Sequence, residues 1–217
     1  MDRERQDASQ TATRALAAAP AADAAPPTTP SSPSASGTED RPGDVEVRTP
    51  RPEDARDVTE LVRRVAKLDA NSPYAYLLLC SHFADTGLVR REGGRLVAFV
   101  LGYRPPGRPD TYFLWQVGVD PACRGRGLAG RMVIDLLRRL EPRGVRFLEA
   151  TVTPSNEPSA ALFRGVARRL EAPCEERTYF DKDLFPPGDA HEDEVLFRVG
   201  PWEPAAPSPT PSEETRR

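Results

Sequence analysis

The sequence predicts a mixed α/β domain rather than a doubly wound one, and three observations carry that expectation. Strand-like and helix-like segments do not alternate one for one: a strand, two helices, three strands, a helix, a strand, a helix and further strands follow in turn. The aromatic and β-branched run TYFLWQVGV, Thr111–Val119, has the composition of a half-buried strand. It leads straight into DPACRGRGLAGRMVIDLL, where arginines and glycines crowd ahead of an apolar-periodic segment.

Each element has its own signal. VEVRTP, from Val45, alternates apolar and polar residues and reads as a short strand. RPEDARDVTELVRRVAKL reads as a helix, with Pro52 in its first turn, Glu53 and Asp54 at its positive end, and Ala55, Val58, Leu61, Val62 and Val65 on one face. DANSPYAYLLLCSHF suggests a loop and then a short helix burying Leu77, Leu78 and Leu79. LVRREGGRLVAFVLGY is a hairpin turned at Gly93–Gly94. After the PPGRPD loop and the 111–119 strand come a helix over Leu128–Leu140, a strand over Arg146–Val152, and a helix in SNEPSAALFRGVARRL with Pro158 near its start. Two more strands around a long loop are expected between Cys174 and Val199.

Composition sets the boundaries. The stretch 1–43 is rich in Ala, Pro, Ser and Thr, and 203–217 (EPAAPSPTPSEETRR) reads alike; neither buries enough apolar surface to offset its ordering entropy, so both are expected to be disordered around a folded unit at 44–202. The mixed-charge start is followed by no apolar core of a secretion signal, and no run approaches a membrane span. Three widely separated cysteines, Cys80, Cys123 and Cys174, suit a reduced, cytoplasmic protein, and with two histidines they make no metal-ligand spacing. A formal net charge of −3 argues against a general nucleic-acid binder.

The loop before Leu128 carries the chemistry. A helix start leaves backbone N–H groups unpaired and bears partial positive charge. Glycines ahead of it allow positive φ, so successive amides can turn inward around an anion, and Arg124 and Arg126 add forked cations suited to phosphate oxygens. The physical reading is a diphosphate seat; an ordinary solvated turn would have similar composition. It is neither a P-loop, lacking Gly-Lys-Ser/Thr, nor a G-x-G-x-x-G dinucleotide loop.

Arg124, Gly127 and Ala129 match the Arg/Gln-x-x-Gly-x-Gly/Ala signature of the GNAT superfamily of N-acetyltransferases, and FLWQVGV, FLEATV and PSNEPSAALF stand in that family's order. The chain resembles this family over essentially the whole folded region. The resemblance implies a central, mostly antiparallel sheet flanked by about four helices, with two parallel strands (Thr111–Val119 and Arg146–Val152) splayed apart. It implies acetyl-coenzyme A as donor, held by Val117, Val119, Arg124, Gly125, Arg126, Gly127, Leu128, Ala129 and Asn156. It also implies direct transfer, which leaves Cys123 no role as a nucleophile. The family's usual tyrosine acid falls here on Phe163, which has no hydroxyl.

LDANSPYAYLLLCSHFADT, PDTYFLWQVGVDPACRGRGLA, RFLEATVTPSNEPSAALFR and HEDEVLFRVG together resemble the L-2,4-diaminobutyrate acetyltransferase branch, which serves the route to the compatible solute ectoine. That branch implies L-2,4-diaminobutyrate as acceptor and a homodimer, with no nucleic acid, membrane or metal involved. The candidates for catalysis are Tyr74 as acid (with Tyr76 and Tyr179 behind it), His191 as base or as a loop anchor, and the Val117 or Val119 amide as oxyanion donor. Asp69 and Glu194 would meet the substrate's ammonium, and Trp115 would line the pocket. Each has a plainer reading: Asp69 as a helix cap, Tyr74 and Trp115 as packing, His191 and Glu194 as solvated surface. A different amine or protein acceptor, or a coenzyme A-binding module without turnover, are the competing readings.

Overall fold

The computed structural model describes residues 44–65, 71–186 and 191–204. The stretches 1–43 and 205–217, expected to be disordered, lie outside the described residues, as does Asp69.

Among the described residues the elements are β1 (Val45–Arg48), α1 (Asp54–Arg64), α2 (Pro73–Ser81), β2 (Leu88–Glu92), β3 (Arg95–Tyr103), β4 (Thr111–Val119), α3 (Leu128–Leu140), β5 (Phe147–Val152), α4 (Glu157–Leu170), β6 (Cys174–Phe180) and β7 (Glu194–Val199). The strands form one mixed sheet in the order β1-β2-β3-β4-β5-β7-β6, in which only β4 and β5 run parallel. The β2–β3 hairpin turns at Gly93 and Gly94, both at positive φ as a two-residue loop of this kind requires.

The sheet has a core on each face. α3 and α4 cover one side, burying Met132, Val133, Leu136, Leu137, Phe163 and Val166 against Val100, Tyr112, Leu114, Leu148 and Phe197. α1 and α2 cover the other, where Val58, Leu61, Val62, Tyr76 and Leu79 meet Val89, Phe99 and Leu101. No described helix is long and apolar enough to cross a membrane.

Two local expectations are corrected. α1 begins at Asp54 with Glu53 as its N-cap, so Pro52 lies ahead of the helix rather than in its first turn. Asp54 is buried because it accepts hydrogen bonds from Arg48, Arg91 and the Arg51 amide, and these fix where the helix begins. In α2 the buried residues are Tyr76, Leu79 and Cys80, while Leu77 is exposed. A run of three leucines between a tyrosine and a cysteine has no apolar stripe of its own, and contact with β4 selects the inward face.

Candidate active site

The site begins with an irregularity in β4. Opposite β3, Gln116 pairs with Leu101 and Leu114 pairs with Gly102, so Trp115 is an extra residue, a β-bulge. The Asp120 amide donates to the Val97 carbonyl, and pairing is regular from Gln116 to Val119. Strand amides alternate in direction, so those of Gln116 and Gly118 turn to β3 and those of Val117 and Val119 turn to the β5 side. β5 is not there to meet them. It pairs with β4 only at Thr111–Phe113, against Phe147–Glu149, and beyond that point the two strands fork.

Glu149 closes the base of the fork. Its carboxylate is buried and accepts hydrogen bonds from Arg108, at 2.5 Å, and from Arg198 on β7. The loop before β4 and the neighbour of β5 are thereby tied to the last paired residue of the splay.

Two clefts open from the fork. The first, about 530 Å³, lies between the start of α3 and the flank of α4, and its lining includes Val119, Arg124, Gly125, Gly127, Ala129, Arg168 and Arg169. Gly125 and Gly127 sit at φ 74° and 67°, the left-handed region that most side chains avoid, and Gly127 is the N-cap of α3. No acidic residue stands in the first turn of α3, so its positive end keeps its field. These features fit a diphosphate-bearing carrier.

The second cleft, about 290 Å³, is lined by Leu114 to Val117 of β4, by Ala150 to Thr153 of and after β5, by Asn156, Ser159 and Phe163, and by His191, Glu192 and Glu194. His191 is held on two sides. Its ring stacks on Phe185 at 3.6 Å, and its Nδ1 lies 2.7 Å from the Glu192 carbonyl oxygen. A carbonyl only accepts, so Nδ1 carries the proton and Nε2 of the neutral ring is left with its lone pair. That Nε2 stands 3.8 Å from the Glu194 carboxylate, which would stabilise the ring once it is protonated. Glu192 accepts from the amide and hydroxyl of Ser155, fastening the segment before β7 to the turn that leads into α4.

The structure thus brings Val117, Trp115, Asn156, His191 and Glu194 to one cleft and Val119, Arg124, Gly125, Gly127, Leu128 and Ala129 to the other. Asn156 caps α4, accepting from the Ser159 amide. Two expected residues stand elsewhere. Arg126 points away from the diphosphate seat, donating to Glu92 at 3.0 Å through both terminal nitrogens. Tyr74 is 66% exposed on α2 and lines neither cleft. Tyr76 is buried, with its hydroxyl donating to Gln116 Oε1 at 3.0 Å and its ring 5.7 Å from that of Trp115, so it pins both residues at the bulge. Phe163 faces the second cleft with its ring 5.8 Å from that of Phe197.

Sequence reasoning missed Arg168, Arg169, Gln116 and Ser155. For Arg169 a signal existed: Pro158, Ala161, Leu162, Gly165 and Arg169 recur at helical spacing along α4, an uncharged stripe ending in a cation. Among the described residues no cluster of His, Cys, Asp and Glu could hold a metal ion.

Comparison with known proteins agrees with this geometry. Residues 55–166 match the model of the acetyltransferase (GNAT) family. The chain is 45% identical over 160 residues to an L-2,4-diaminobutyric acid acetyltransferase of Halalkalibacterium halodurans, spanning 74% of this chain and 84% of that protein. It is 47% identical over 153 residues to the protein of the same name from Marinococcus halophilus, spanning 70% and 88%. Among solved structures it is similar to the diaminobutyrate acetyltransferase EctA from Paenibacillus lautus in complex with its substrate L-2,4-diaminobutyric acid and coenzyme A, with a TM-score of 0.71, 39% identity, and 76% of this chain and 99% of that one covered. The ribosomal-protein-S18-alanine N-acetyltransferase of Escherichia coli, 18% identical with a TM-score of 0.55 over 76% of this chain and 99% of that one, shares the fold. A forked parallel pair, a left-handed glycine turn at the start of the helix between its strands, and these relatives lead to one conclusion: the chain belongs to the GNAT family of acetyltransferases.

Proposed function

We propose that the chain transfers an acetyl group from acetyl-coenzyme A to the side-chain amine of L-2,4-diaminobutyrate, giving N4-acetyl-L-2,4-diaminobutyrate in ectoine biosynthesis. The observation that carries this reading is its likeness to the Paenibacillus lautus enzyme, whose structure holds that amino acid and coenzyme A. When bound, acetyl-coenzyme A supplies an activated acetyl group as its thioester.

The chain's own residues do the rest. The Gly125–Gly127 turn and Arg124 hold the diphosphate, with Leu128 and Ala129 beneath it, and the outward amides of Val117 and Val119 hold the arm that enters the fork. The Val117 N–H is placed to polarise the acyl oxygen. The acceptor arrives as an alkylammonium with a pKa of about 10.4, so near pH 7.5 only ~10⁻³ of it is neutral, a cost of about 4 kcal/mol. His191 Nε2 takes that proton, a contribution typically worth ~10²–10⁴ in rate, and Glu194 stabilises the charged ring. Trp115 forms a wall of the acceptor site, and Asp69 is the second acid for the α-ammonium. With Phe163 in the fourth helix no hydroxyl stands there to protonate the departing sulfur, which leaves as a thiolate and takes up, through solvent, the second proton that the nitrogen sheds as the amide forms. Tyr74 has no part in this reading, since neither cleft reaches it.

A small acceptor is favoured over a protein because His191, Glu192 and Glu194 wall the second cleft. The catalytic domain runs over 44–202, and the reaction belongs in the cytoplasm, where the thiols of Cys80, Cys123 and Cys174 stay reduced. The partner is a second copy of the chain. Edge strand β6 and the turn after it expose Tyr179, Phe180 and Leu184, an apolar margin that another subunit would cover.

The test is thiol release from acetyl-coenzyme A with diaminobutyrate, ornithine, lysine and peptides, with mass analysis of the product. Diaminobutyrate turning over fastest, acetylated on its side-chain nitrogen, is the expected result. Equal rates across the panel would reject the assignment.

A further inference from the structure

We infer that the first cleft contains a second phosphate subsite, built by Arg168 and Arg169 at the end of α4, through which the protein selects its acyl carrier by the 3′-phosphate of coenzyme A. This rests on the reading of acetyl-coenzyme A as donor.

The argument starts from how the arginines are spent. Around the sheet, Arg48 and Arg91 are paired with Asp54, Arg95 with Asp120, Arg108 and Arg198 with Glu149, and Arg126 with Glu92. On α4 itself, Arg164 is bound to Glu176 through two bonds of 2.7 Å. Arg124, Arg168 and Arg169 differ: they line one cleft, and among the described residues none makes an ion pair or a side-chain hydrogen bond. The lining of that cleft contains no aspartate or glutamate.

Arg169 lies in the last turn of α4 and also reaches the start of α3. A Cβ built on Gly130 would stand 2.8 Å from its Nη1, so its guanidinium lies over the first turn of α3. A cation at the positive end of a helix is disfavoured, and no first-turn acid offsets it. Gly130 is what allows the approach. Arg168 lies one residue earlier at the rim of the same cleft.

Charge then separates two ligands. A diphosphate diester bears two negative charges, answered by the glycine-flanked amides, the helix end and Arg124. That leaves two exposed guanidiniums in the last turn of α4, on the opposite wall, with no acidic side-chain partner among the described residues. A phosphate monoester carries about −1.5 to −2 at neutral pH and three acceptor oxygens, which suits two arginine forks. Coenzyme A has one such group, on its ribose, and dephospho-coenzyme A lacks it.

The test is calorimetric titration of the full chain with coenzyme A and with 3′-dephospho-coenzyme A, at two salt concentrations, for the wild type, R124Q and the double variant R168Q/R169Q. The wild type should bind coenzyme A at least about tenfold more tightly than the dephospho form, and added salt should narrow the gap. The double variant should bring the ratio to within about threefold of one, while R124Q should weaken both carriers and leave the ratio standing. Equal binding of the two carriers by the wild type overturns the subsite and leaves the donor reading intact. A double variant with the wild-type ratio overturns it equally. Binding of neither carrier overturns the donor reading together with the subsite.

Discussion

Replacing Asp54 by asparagine tests whether the ion cluster that starts α1 stabilises the domain. Burial raises the Asp54 carboxyl, but hydrogen bonds from Arg48 and Arg91 and from the Arg51 amide outweigh it and lower the value from the usual 3.8 to about 2. At 1.36 kcal/mol per pH unit this difference corresponds to about 2 kcal/mol of stability at neutral pH. Asparagine keeps the shape and loses the charge. For a domain of this size each kcal/mol moves the melting temperature by about 2–4 °C, so D54N should melt about 4–8 °C lower at pH 7. The sign of the pH dependence follows from a depressed folded value: the contribution is complete above the unfolded value and lost as pH falls through the folded one. The gap between wild type and variant should therefore hold down to pH 5, shrink to about half by pH 3, and close toward pH 2. Urea titrations of both proteins across that range measure it, and other titrating groups cancel in the difference. A gap that stays constant from pH 7 to pH 3 would refute the reasoning.

Two further outcomes are expected. H191Q should lower kcat by about 10²-fold or more with little change in the KM for acetyl-coenzyme A, read by steady-state thiol release. Y76F leaves Gln116 Oε1 without its hydroxyl donor at the bulge, and should cost about 1–2 kcal/mol in urea denaturation while raising the KM for diaminobutyrate more than that for the donor.

The parts of the fold with strong local signals were legible from residues alone. β4 and α3 were bounded as observed because an aromatic strand, a glycine-rich turn and a regular apolar stripe leave little choice. The left-handed glycines could likewise be anticipated from the need for inward amides. What was hidden is tertiary. TYFLWQVGV reads as an unbroken strand, and nothing in it marks Trp115 as an extra residue; Tyr76 and the β3 register impose that. Arg124 and Arg126 look equivalent in sequence, and only the presence of Glu92 on β2 sends one of them away from the cleft. Arg168 and Arg169 resemble the basic residues that ordinarily end a helix by complementing its dipole, which conceals a ligand-facing role.

Trp115 also sets a reading frame. Upstream of it, even-numbered side chains, Tyr112 and Leu114, belong to the α3/α4 core; downstream, odd-numbered ones, Val117 and Val119, do. Deleting that single residue would heal the bulge: Leu114 and Gln116 would alternate plainly, with Val117 and Val119 still on the α3/α4 side. What would go is the local bend and added twist that a bulge gives a strand, just past the point where β4 leaves β5. The bend at the mouth of the fork thus rests on one surplus position in nine, so removing Trp115 should narrow the crevice more than replacing it with another aromatic residue.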